Sequence, residues 1–241
     1  MRVQQISAGW VVERVWSIYR EHAGVLIGTA LVLFAVQFLV YWVLSGATRF
    51  LVTLLFWILS TLYQGIVVEL VQDIQDGRRD SSIGDLVRGV EPVLGPLLLV
   101  SLIFGVSVAI GFVLLIIPGL ILMTIWAVVA PVTVLERPGV LAAFGRSQDL
   151  VRGNGWNVFG VIVLVYIAVV IASLLVGIVA SPLGSGGRAL VQWGVNSAIA
   201  PITALSASVL YFALKDIREP AAPTTASDPV QPTPDPGQPT A

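Results

Sequence analysis

Apolar residues run through this chain in long uninterrupted stretches, and charge is confined to the gaps between them. Positions 23–48, 50–68, 92–135, 153–187 and 189–214 contain no Asp, Glu, Lys or Arg. Runs of this length suit a bilayer, whose hydrocarbon core takes about 20 apolar residues per helix. Cut at their Gly, Pro and Ser punctuation, they predict spans at 24–45, 50–70, 94–117, 120–135, 156–180 and 190–213. The 44-residue run 92–135 must hold two of these, because one helix of that length would measure ~66 Å, about twice the hydrocarbon thickness. Pro118-Gly119 is the expected turn between them. Pro131 interrupts the following span, so a kinked, tilted or partly re-entrant segment is expected there. The expected fold class is therefore all-α, a polytopic integral membrane bundle of about six transmembrane helices with cytoplasmic interfacial helices beside it.

Between the spans the pattern changes to amphipathic helix. From Val11 to Glu21, Val11, Val12, Val15, Trp16, Ile18 and Tyr19 fall on one side of the wheel and Glu13, Arg14, Ser17, Arg20 and Glu21 on the other. Residues 82–91 repeat this, with Ser82 and Asp85 as a cap and Ile83, Leu86, Val87 and Val90 at i, i+3, i+4 and i+7. Residues 139–152 do so a third time, with Val140, Phe144 and Val151 on one stripe and Arg146, Asp149 and Arg152 away from it. Each precedes a pair of spans, and a basic residue closes each at Arg20, Arg88 and Arg152, so the pattern fits a triplicated unit of short helix plus hairpin. It equally fits the need of any six-span protein for basic loops on one side. The organisation expected is an N-terminal interfacial helix over 1–23, a membrane domain over 24–218, and a disordered Pro/Thr-rich cytoplasmic tail over 219–241.

Composition agrees: 56% of the 241 residues are apolar and 11% charged, with a mean hydropathy of +0.92. A soluble domain carries about 25% charge. The first apolar run exceeds a signal-peptide core of about 7–15 residues and is expected to remain as an anchor. Charge sign adds orientation. One set of alternate loops holds eleven of the thirteen basic residues, leaving only Arg49 and Arg188 on the other side. This positive-inside asymmetry predicts that both termini are cytoplasmic. Twelve of the basic residues are Arg and the chain is rich in Ala, Val and Gly, a bias that favours a bacterial plasma membrane. No block of like charge offers a nucleic-acid surface, and the absence of Cys excludes disulfides, thiolate metal sites and Cys nucleophiles.

Candidate chemistry is sparse. His22 is the single histidine, and its place at the end of the first amphipathic helix suits an interfacial residue better than a general base. Asp73, Asp76, Asp80 and Asp85 cluster in DIQDGRRDSSIGD, a segment with the composition of a turn leading to a helix cap. It opens like the Asp-Gly motif of the CDP-alcohol phosphatidyltransferases but lacks that motif's later aspartates. No GxSxG, HExxH or GxxxxGK[ST] pattern occurs. No catalytic residue, metal ligand or cofactor is therefore expected. Within the spans Gln37, Gln64, Glu69, Gln192 and Asn196 are polar, and Gln64, Glu69 and Asn196 are the candidates for a transport pathway.

Residues 116–160, IIPGLILMTIWAVVAPVTVLERPGVLAAFGRSQDLVRGNGWNVFG, carry a signature built on Pro118-Gly119, Pro131, Val134-Leu135-Glu136, Ala143, Arg146-Ser147, Leu150-Val151, Gly153 and Trp156. With ERVWSIYREHAG near the start and LYFALKDIREP at 210–220, it resembles the bacterial YciC-like membrane proteins, related to the membrane domain attached to some glycerophosphoryl diester phosphodiesterases. The resemblance implies a helical membrane domain of about six spans; the phosphodiesterase chemistry belongs to a separate soluble barrel with no counterpart here. Within the signature, Glu136 is placed to form a structural ion pair with Arg146 or Arg152, and Trp156 to anchor the fifth span at headgroup level.

Three functions follow as expectations. The first is a non-enzymatic, envelope- or lipid-associated membrane protein, a scaffold or lipid-organising factor. Its partners would be membrane lipids, anionic headgroups meeting Arg20, Arg88, Arg146, Arg152 and Trp156. The second is a transporter or channel component, favoured if Gln64, Glu69 and Asn196 line one cavity. The third is a membrane-bound lipid-modifying enzyme using the Asp73–Asp85 loop.

Overall fold

The computed structural model describes residues 7–43, 49–77 and 83–219, all of whose regular structure is helical. The Ser82 cap, Asp80 and the tail from 220 onward lie outside the described residues, as does the side chain of Gln37. Ten α-helices follow in order: α1 (Ala8–Glu21), α2 (Ala23–Val43), α3 (Arg49–Gln75), α4 (Ile83–Val90), α5 (Leu94–Leu114), α6 (Ile116–Ile125), α7 (Val129–Leu135), α8 (Val140–Val151), α9 (Gly155–Val179) and α10 (Gly184–Arg218). Six segments are long and apolar enough to cross a membrane: α2, α3, α4 running into α5, α6 with α7, α9, and α10. The protein is a multi-pass membrane protein of the all-α class.

A short helix precedes each pair of spans, so α1, α4 and α8 recur at the same place in three successive units. The joints differ in kind. α1 meets α2 at a bend on His22; a 3-10 turn at Glu91–Val93, with Pro92 in its first turn, links α4 to α5; and Arg152, Gly153 and Asn154 separate α8 from α9.

α10 is the axis. It packs against α1, α2, α3, α7, α8 and α9, and its residues Leu205, Leu210, Tyr211 and Leu214 are completely buried. α9 is its opposite: only Val158 and Val161 are buried, and the Leu, Ile and Val side chains left exposed are what a lipid-facing helix presents.

The turn between α5 and α6 falls on Leu115, whose backbone is extended at φ −164°, ψ 151°, and not on Pro118-Gly119. Pro118 is the third residue of α6, in the first turn, where a backbone N–H has no intrahelical partner and its loss costs nothing. Gly119 serves packing: a Cβ there would lie 2.7 Å from the Phe112 ring, and one at Gly111 would lie 2.9 Å from the Gly119 Cα. The two glycines let α5 and α6 cross backbone to backbone.

The fourth span is broken, as the position of Pro131 predicts. Trp126, Ala127 and Val128 form a turn between α6 and α7, and Pro131 sits in the first turn of α7. A continuous helix would drive the proline ring into the Ala127 carbonyl. The break frees the Ile125 carbonyl, because Val129 donates its N–H to Trp126 instead. Ser147 of α8, wholly buried, donates its hydroxyl to that carbonyl at 3.1 Å. A group that would otherwise be orphaned in an apolar setting is satisfied from another helix.

Neighbouring helices cover only part of the apolar face of α1. Val11, Val15 and Ile18 are buried, but Val12 and Trp16 of the same apolar sector stay exposed, together with Trp10. The sector is wider than the stripe a neighbouring helix can cover. α1 also leans into the bundle, with Ala8 against Gly160 of α9 and the Tyr19 hydroxyl donating to the Ala198 carbonyl of α10 at 3.3 Å.

Candidate functional site

Two arrangements bring polar groups together. One is a cavity of about 450 Å³ enclosed by α2, α3, α5, α6, α9 and α10. Its position follows from the interrupted helices, since Ala127 of the α6–α7 break lines it and Pro201, inside α10, lies between the lining residues Ala200 and Thr203. Proline removes a backbone hydrogen bond and bends the helix that carries it. Among the described residues the lining holds no charged side chain. Its aromatic members are Phe34, Phe56, Tyr63, Phe104 and Tyr166, and Gln64 and Asn196 face it from α3 and α10. The exposed lining residues Tyr166, Ser173, Asn196 and Thr203 belong to α9 and α10, so the cavity opens between those two helices on the flank of the bundle.

Most of its hydroxyls are already committed. Ser60 donates to the Phe56 carbonyl at 2.7 Å, Tyr63 to Leu26 of α2 at 3.0 Å, and Ser206 to Ile202 at 2.6 Å. The Asn196 oxygen accepts from Gln192 at 3.0 Å, leaving its NH₂ hydrogens free. Gln64 and Tyr166 make no side-chain hydrogen bond to any described residue.

The second arrangement is a clasp at the ends of α7, α8 and α10. Glu136 caps the C-terminus of α7, a poor place for a carboxylate because the helix dipole is negative there. Arg146 of α8 compensates with a two-pronged contact, Nε at 2.7 Å and Nη2 at 3.2 Å from the two carboxylate oxygens. Tyr211 of α10 donates its hydroxyl to Glu136 at 2.8 Å, and Arg146 also donates to Glu219, just past the end of α10. Arg218 donates to the Arg152 carbonyl, and Lys215 lies over the Tyr211 ring at 5.6 Å. Burial alone would raise the Glu136 carboxyl. The Arg146 and Tyr211 hydrogen bonds, helped by the charges of Arg146 and Lys215, outweigh it and hold the group below its ordinary 4.5. Hydrogen bonds to Glu136 and Glu219, helped by their charges, push Arg146 further up against its burial.

Arg137 extends this end of the molecule. It adopts φ 51° as the first residue past the α7 cap, a position that favours glycine. Its guanidinium reaches the Val134 carbonyl at 3.3 Å and the Gly89 carbonyl of α4 at 3.4 Å, placing one cation at two helix C-termini.

The residues singled out from sequence separate into groups. Glu136 and Arg146 meet, and Gln64 and Asn196 share the cavity. Glu69 does not join them: it points at α4, where a Cβ on Gly89 would come 3.2 Å from its carboxyl carbon. The four arginines expected to meet anionic headgroups are used differently. Arg146 is committed to the clasp, Arg88 is exposed beside Asp85 at 4.0 Å, Arg152 is exposed, and Arg20 lies over the Trp16 ring at 5.7 Å. The neighbour of Arg20, Tyr19, is tied to Ala198, about 30 Å along α10 from Arg218 at 1.5 Å per residue. Trp156 is 87% exposed in the first turn of α9. Among the described residues, no three acidic, His or Cys side chains group as metal ligands. Sequence reasoning missed Tyr211, Glu219 and the Ser147 cap. Tyr211 and Glu219 belong to the exit segment LYFALKDIREP and Ser147 follows Arg146, but nothing local marks any of them as a partner to a distant helix.

Fold and sites together define a multi-pass helical membrane protein with an uncharged cavity in its bundle and an ion-pair clasp at one end. No family model matches the chain, and neither the curated proteins nor the solved structures give a match.

Proposed function

We propose that this is a non-enzymatic, lipid-associated protein of the bacterial plasma membrane, a scaffold or lipid-organising factor with both termini cytoplasmic. The supporting observation is the set of exposed side chains at the clasp end of the bundle, Arg88 of α4, Arg152 just past α8 and Trp156 in the first turn of α9. Indole beside guanidinium is the pairing that the headgroup layer accommodates, ring at the acyl boundary and cation toward phosphate. The two exposed cations suit anionic headgroups. Arg146 holds the fold and leaves this set.

Native mass spectrometry of the purified protein tests this reading. Retained anionic phospholipid is expected to fall on Arg88→Ala with Arg152→Ala and on Trp156→Ala. Unchanged retention in both variants sinks it. A second reading, a transporter component, draws on Gln64 and Asn196 sharing one cavity beside a broken helix. The place of Glu69, away from that cavity, weighs against an ion-coupled version of it.

A further inference from the structure

We infer that the cavity between α9 and α10 is a binding site for a neutral lipid whose head is a planar, carbonyl-bearing ring of the quinone kind. This goes beyond the headgroup contacts proposed above and involves none of the same residues.

Depth and charge narrow the class first. The cavity lies along the middle of the spans, Gln64 being the sixteenth of the 27 residues of α3, and it opens on the flank of the bundle, so the bilayer supplies the occupant. With no charged side chain among the described lining residues, a phosphate or ammonium headgroup would enter unpaired at a cost of several kcal/mol. That excludes phospholipid heads and leaves an uncharged one.

Hydrogen bonding narrows it again. The Gln64 carboxamide and the Tyr166 hydroxyl have no partner among the described residues, and Asn196 keeps its NH₂ free once Gln192 has taken its oxygen. These groups stand on three different helices around one space and can donate to acceptors there. Leaving them unpaired in an apolar setting is unfavourable, and carbonyl oxygens on an occupant satisfy them.

The aromatic lining sets the shape. Phe34 pairs with Phe56 and with Tyr63 at ring separations of 5.8 Å, and Phe104 and Tyr166 complete a set from four helices. Such walls favour a flat ring that can stack, over the branched glycerol of a diacyl lipid. About 450 Å³ holds a substituted ring and the start of its tail, the rest of which passes out between α9 and α10 into the acyl chains.

The test uses the full-length protein in detergent with decylubiquinone as probe, bound quinone being counted by native mass spectrometry. One quinone per chain is expected, with retention weakened about tenfold by Gln64→Met, the loss of about 1.4 kcal/mol. Ala207→Phe, which fills the space from α10, is expected to abolish it. Each variant is taken forward only after its elution profile and melting temperature match the parent. Dioctanoylglycerol at equal concentration should not compete. Quinone retention unaffected by either variant, or equal competition by dioctanoylglycerol, overturns the assignment. Since Arg88 and Arg152 lie outside the cavity, their alanine variants should keep the quinone, so the two proposals fail separately.

Discussion

Replacing Arg146 with alanine strips Glu136 of two of its three hydrogen bonds and releases Glu219 at the end of α10. The carboxylate, 20% exposed, is then left at the negative end of α7 with Tyr211 alone. A hydrogen bond to a charged group contributes about 1.5–3 kcal/mol. Partial exposure and the desolvation of both ions reduce the sum for the whole contact to about 2 kcal/mol. For a chain of this size that lowers Tm by about 4–8 °C, measured by tryptophan fluorescence melts in detergent. Glu136→Gln should cost about half as much, because an amide still accepts from one donor. In the double variant most of the second loss disappears, giving a coupling of about 1 kcal/mol. Arg146→Lys should rescue little, a point charge being unable to serve both oxygens of Glu136 and reach Glu219. Additive losses, with coupling below about 0.3 kcal/mol, would show that the contact is incidental and that Arg146 is free for lipid after all.

The clasp is also pH-dependent. Because Glu136 titrates below its ordinary value when folded, its stabilisation is present above the unfolded carboxylate value of 4.5 and is lost as pH falls through the lower folded value. Melts between pH 3 and 6 should therefore decline less steeply in Glu136→Gln than in the parent, and parallel curves would count against this. Gly119→Ala sets a methyl 2.7 Å from the Phe112 ring and should cost about 1–3 kcal/mol, with Phe112→Ala in the same chain restoring most of it; failure of that rescue would place the strain elsewhere. Ser147→Ala, which orphans the Ile125 carbonyl, should cost about 1–2 kcal/mol with no change in lipid retention. The hairpin tip Val113 to Ile117 is exposed and wholly apolar, so a cysteine at Leu115 in this cysteine-free chain should resist a membrane-impermeant maleimide that labels one at Ser181; equal labelling would put the tip in water.

Some of this molecule is determined by its sequence alone. Six spans, three short helices before successive pairs, and a break near Pro131 follow from the spacing of charge, the apolar period and the geometry of proline. These are properties of a segment and its solvent, and no neighbour is needed to decide them. Even the Glu136–Arg146 pair was legible, its members being ten residues apart across one loop. Where the outcome depended on another helix, the sequence was silent or misleading. Pro118-Gly119 has the composition of a turn, yet the glycine is needed where α5 crosses α6, and the chain reverses at Leu115. Gln64, Glu69 and Asn196 are equally polar residues in apolar runs, and only packing sent two to a common cavity and the third to Gly89. Arg146 is one of four similar arginines until Tyr211 and Glu219, more than sixty residues away, converge on its side. Periodicity fixes which face of a helix is apolar, but the partner that face meets, and so the use of each polar group on it, is settled only when the helices pack.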